Sequence, residues 1–157
     1  MVEALVLVML LAPVLAGVAC ALARYRREVH EALTLLATGV TLALSILLLV
    51  VVRSRGPLLL LYDEVYVDQL SAVFAATVAL VTFTSALFSY DYMEYACRAR
   101  GVGTARLSLY YALLLASEST MLAVCVVNNV FILWVMVEAT TLASTLLVGF
   151  LRDFRSL

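Results

Sequence analysis

Five stretches of this 157-residue chain are long and apolar enough to cross a bilayer, which takes roughly 20 predominantly apolar residues in helical form. They cover residues 4–23, 32–52, 70–88, 107–127 and 130–151. In hydrocarbon every backbone N–H and C=O must be paired internally, so runs of this length fold as helices. Composition agrees. The chain is 66% hydrophobic, well above the roughly 45–50% of ordinary globular domains. The expected fold is an all-α membrane protein with five transmembrane helices in a single multi-pass domain, residing in the cell (inner/cytoplasmic) membrane.

With two exceptions, the charges sit between the runs and orient them. All ten basic residues are arginines. Arg24, Arg26, Arg27, Arg98, Arg100, Arg106, Arg152 and Arg155 fall on one side of the five spans, and Arg53 and Arg55 on the other. The positive-inside rule places the first group in the cytoplasm. The N-terminus is then outside and the C-terminus cytoplasmic. The first span carries Glu3 before it and the arginines after it, the reverse of a secretory signal, so it is expected to be retained. Pro13 removes a backbone donor in mid-span and is expected to kink it. The fourth and fifth spans are separated only by Asn128-Asn129 and form an antiparallel hairpin.

Several function classes are disfavoured. A net charge of −1 gives no nucleic-acid footprint. Cys20, Cys97 and Cys125 form no CxxC pair, so no iron–sulfur, zinc or dithiol signature is present. One histidine, His30, cannot build a metal site. It lies in RYRREVHE, read as a solvated charged loop. No phosphate-binding or dinucleotide fingerprint occurs, and no cofactor is expected. Between the second and third spans, GPLLLLYDEVYVDQ alternates Val65 and Val67 with Glu64, Tyr66 and Asp68. Period two suggests a short extended or β element on the outer surface, with an interfacial loop anchored by Tyr62 and Tyr66 as the alternative.

Two acids fall deep inside spans, Glu118 in the fourth and Glu138 in the fifth. Counting from the Asn128-Asn129 turn at about 1.5 Å per residue, both lie roughly 15 Å from the outer surface, near mid-membrane. An ionisable residue there costs roughly 2.5–3.5 kcal/mol, and by default marks a proton or ion pathway. Thr141 and Thr145 share the face of Glu138 at i+3 and i+7, and Trp134 flanks it. Thr140 and Ser144 lie on the opposite side. The candidate relay is therefore Glu138, Glu118, Thr141 and Thr145. Equal depth raises the possibility that the two carboxyls share a proton; the competing reading points Glu118 elsewhere.

NNVFILWVMVEATTLASTLLVGF, from Asn128 to Phe150, resembles the fifth-helix signature of the antiporter-like subunits of respiratory complex I and group 4 membrane-bound hydrogenases. It is most similar to the branch formed by the F component of hydrogenase-4 and by formate hydrogenlyase. Asn128-Asn129, Trp134, Glu138, Thr140-Thr141-Leu142, Ser144 and Leu147-Val148-Gly149-Phe150 carry the likeness. YVDQLSAVF from Tyr66 and YYALLL from Tyr110 resemble the third and fourth spans more weakly. The resemblance implies that Glu138 forms an ion pair with a lysine on a later helix, whose making and breaking gates ion movement.

This chain departs from the pattern. It has no lysine, ends soon after the fifth span, and carries Glu118 where the family is usually apolar or small. The expected function is the N-terminal portion of a proton- or sodium-translocating subunit of a redox-driven complex, of hydrogenase or NADH/ferredoxin dehydrogenase type. Other membrane subunits, including a chain supplying the missing helices and lysine, are the expected partners, within the lipid bilayer. A non-transporting assembly subunit and a subunit of a multi-chain cation/proton antiporter are the alternatives. The chain alone is expected to catalyse no redox reaction.

Overall fold

A computed structural model describes residues 2–22, 27–100 and 104–152. Five helices follow the five apolar runs: α1 (Val2–Leu22), α2 (Arg27–Arg55), α3 (Gln69–Arg100), α4 (Thr104–Val126) and α5 (Val130–Arg152). Each is long and apolar enough to cross a membrane. α1 continues through Pro13. Two helices overrun the apolar runs, because hydropathy ends before helix-forming sequence does. α3 continues past Phe88 to Arg100, just before Gly101, and α2 begins at Arg27.

That early start corrects the reading of His30. It belongs to the first turns of α2 rather than to a solvated loop, and is only 2% exposed. The helical rotation set by the apolar residues downstream turns position 30 into the bundle.

Local signals explain the remaining ends. Gly56 follows α2 with φ +84° and donates its N–H to Val52 O at 2.9 Å, a left-handed C-cap that Pro57 then terminates. Asp68 caps α3: its Oδ1 accepts the Ser71 N–H at 2.7 Å. Asn129 Oδ1 accepts the Phe131 N–H at 3.0 Å and starts α5.

The Ser71 bond also holds the Asp68 carboxyl below its ordinary range. A depressed folded value means that the cap is at full strength above the ordinary carboxylate pKa. It is lost as pH falls through the lower folded value. Protection of the N-terminal amides of α3, relative to their intrinsic exchange rate, is expected to fall as the pH drops below the ordinary carboxylate range, and Asp68→Ala to remove that pH dependence.

Packing joins α1 to α2, α2 to α3, α3 to α4 and α4 back to α1. The four close a ring, and α2 meets α4 across its centre. α5 lies outside the ring against α4. Its contact side carries Ala139, Thr140, Ala143 and Ser144, small residues that let two helices approach closely in a membrane.

Over the end where α2 and α4 finish sits a two-stranded antiparallel hairpin. β1 (Leu58–Leu60) pairs with β2 (Val65–Val67) in the register Leu58↔Val67, Leu59↔Tyr66, Leu60↔Val65. Val65 and Val67 are buried and Tyr66 exposed, as alternation requires. Leu61, Tyr62 and Asp63 turn the hairpin with φ of 53°, 57° and 68°. Non-glycine residues enter this region at a cost of about 1–2 kcal/mol each. Asn128 opposes that cost. Its N–H donates to Glu64 O and its Nδ2 to Asp63 O, both at 2.8 Å. Asn128→Ala is expected to lose about 0.5–1.5 kcal/mol and to open the chain to protease beside the fully exposed Tyr62, which limited proteolysis reads directly.

Candidate functional site

The two mid-span carboxyls occupy opposite environments. Glu118 lies at the centre of the ring, fully buried. Its Oε1 is 2.6 Å from Thr41 Oγ1 of α2, and its Oε2 has no partner among the described residues. Glu138 is exposed on α5. Glu118 turns inward to α2, and Glu138 turns away from the ring. The structure therefore does not bring them together, and a shared proton has no geometric basis. Equal depth held no information about azimuth, which packing decides.

The Thr41 hydroxyl lies 2.6 Å from Glu118 Oε1 and 2.9 Å from Thr38 O. One hydroxyl hydrogen cannot serve both. With Glu118 protonated, the acid donates to Thr41 and Thr41 donates to Thr38 O. With Glu118 ionised, Thr41 donates to Oε1 instead. The same heavy-atom positions accommodate both states. A single donor for a dry carboxylate is poor compensation for desolvation, and the protonated arrangement satisfies the greater number of groups.

Around Glu138 the stripe has the expected alignment. Trp134, Thr141 and Thr145 are exposed, as Glu138 is. The threonine hydroxyls serve their own helix: Thr141 donates to Glu138 O at 2.8 Å and Thr145 to Thr141 O at 2.7 Å. Neither is bonded to the carboxyl of Glu138. Thr140 likewise donates to Met136 O at 2.9 Å, and Ser144 to Thr141 O at 3.0 Å. This back-bonding is the usual fate of hydroxyls in membrane helices. It leaves oxygen lone pairs outward, able to accept from a donor brought alongside. Only 6% of the apolar stretch of α5 is buried, against 28–39% in the other four helices.

A second polar group, on α2, has no counterpart among the acids that the sequence singles out. His30, Thr34, Thr38, Thr41 and Ser45 are all buried there. Their spacing of four, four, three and four residues keeps them on one face of the helix. The signal that could have found this row is its periodicity, which is visible in the sequence.

No family model matches the chain. A hydrogenase-4 component F homolog from Methylacidiphilum infernorum (isolate V4) is 35% identical over 92 residues. The aligned stretch is 58% of this chain and 19% of that relative. Over that region the match supports the antiporter-like relationship read from the sequence.

Proposed function

We propose that these residues form part of a proton- or sodium-translocating antiporter-like subunit of a redox-driven membrane complex. Glu138 acts in it as proton carrier or gate against a cation on another helix. The carrying observation is an exposed carboxyl at mid-height on a helix with little cover. Facing lipid, Glu138 would cost roughly 2.5–3.5 kcal/mol, and residues of this kind face a bundle interior or a water-filled cavity. α5 therefore has its polar face covered in the working assembly. The sequence contains no lysine, and the cation comes from a helix outside these residues. Thr141 and Thr145 provide acceptors along the same face, and Trp134 borders it.

The similarity to a hydrogenase-4 component F homolog supports a hydrogenase-type assembly as the setting. Purification from native membranes in mild detergent, followed by mass spectrometry, tests this. Hydrogenase or dehydrogenase subunits are expected to co-purify in fixed ratio. Recovery of membrane chains with no redox subunit would contradict the reading and favour a multi-chain cation/proton antiporter.

A further inference from the structure

We propose that Glu118 is a protonation site reached from one side of the membrane only, through the polar face of α2 that begins at His30. This goes beyond the role given to Glu138 and does not depend on a partner helix.

Three observations combine. The row His30, Thr34, Thr38, Thr41 runs from the α1–α2 end of the bundle to Glu118, every member no more than 2% exposed. From His30 to Thr41 is eleven residues, about 16 Å along the axis, with successive side chains about 5–6 Å apart. A gap of this length is closed by a single bridging water, which the route requires. The row also ends in unsatisfied groups: among the described residues His30 Nδ1 and Glu118 Oε2 are buried with no hydrogen-bond partner. One more buried hydroxyl, Ser45, continues the row past Glu118 and donates to Leu42 O at 2.8 Å. Beyond it the character changes. Toward the hairpin the core consists of Val6, Met9, Leu48, Val52, Leu122 and Val126, each at most 1% exposed. Val65 and Val67 of the hairpin close it. None of these residues carries a hydroxyl, carboxyl or imidazole. Groups bordering the row include Glu31, also buried on α2, Cys20 of α1, whose Sγ lies 3.9 Å from Thr34 Oγ1, and Tyr111 of α4, buried in one cluster with Cys20 and Ala37.

On deprotonation the Glu118 O–H bond breaks, and its electron pair stays on the carboxylate. The proton passes to water along the hydroxyl row, then to His30 Nδ1, which becomes imidazolium, and from there to bulk solvent. The Thr41 hydroxyl hydrogen turns from Thr38 O to Glu118 Oε1 and supplies the bond that the new carboxylate needs. Reprotonation reverses each movement. The arginine distribution assigns the His30 end to the cytoplasm.

Infrared spectroscopy of the full chain in liposomes tests the route. Glu118→Gln identifies the Glu118 carboxylic C=O band, and transfer to D2O gives its exchange rate. In the wild type the band is expected to exchange. Thr38→Val keeps the shape and removes one hydroxyl, and His30→Phe removes the entry group. Each is expected to slow exchange at least about tenfold, the effect of about 1.4 kcal/mol of added barrier. Circular dichroism confirms that the helices are retained, with His30→Gln as the substitute if His30→Phe does not fold. An unchanged rate in either variant, or a wild-type band that does not exchange, overturns the proposal.

Discussion

Glu138→Gln in the assembled complex is expected to cut ion pumping by roughly a hundredfold, within the range that a positioned proton-transferring side chain contributes. Incorporation of the chain should be unchanged. Gln keeps the volume and hydrogen-bonding reach of Glu but cannot titrate or pair as an anion. α5 holds to the ring through Ala139, Thr140, Ala143 and Ser144, on the other side of the helix, so the substitution leaves that packing alone. Pumping measured in vesicles alongside subunit stoichiometry separates the two effects. Thr141→Val is expected to be far milder, because the Thr141 hydroxyl donates to Glu138 O and not to the carboxyl.

The second large effect concerns stability. Thr41→Val removes the one polar partner that the Glu118 side chain has among the described residues, and a buried polar group left unsatisfied costs about 1–3 kcal/mol. The reverse truncation differs. Glu118→Leu leaves Thr41 with Thr38 O at 2.9 Å, so no buried hydroxyl is left unsatisfied and the loss is expected to be small. In the Glu118→Leu background Thr41→Val should then cost little. A double-mutant cycle on the full chain in detergent should return a coupling of about 1–3 kcal/mol, a size characteristic of residues in direct contact. Equal losses from Thr41→Val in both backgrounds would show that the 2.6 Å contact has no energetic weight.

Such asymmetry gives Glu118 a meaning. A fully buried acid whose removal is expected to leave the fold intact is poorly explained by stability. Proton exchange through α2 supplies a reason for its presence.

What could be read in the sequence follows a physical line. Apolar run length fixed the number of helices, because hydrocarbon leaves the backbone no alternative. Period two in VYV suggested an extended or short β element, with an interfacial loop as the alternative; the structure has β2 there, and its buried valines are those the alternation singled out. Spacing yields height along a helix, since rise per residue is constant, but not azimuth. Placing Glu118 against Thr41 depends on the diagonal meeting of α2 and α4, a contact between residues 77 apart. His30 failed for a related reason: arginines around it suggested solvent, while the helix starting at Arg27 turned its side chain inward. In α5 the polar stripe was legible in full, and the structure adds that it faces away from every other described helix.

If Glu138 works as a gate, its face of α5 is covered by a helix bearing a cation. A photo-crosslinking residue placed at Thr141, exposed on the face of Glu138, tests this in native membranes. The expected result is a crosslink to a membrane-spanning segment with a lysine or arginine within its apolar stretch, lost when that cation is replaced by an acidic residue. Crosslinks to lipid alone, with the chain fully expressed and inserted, would contradict it.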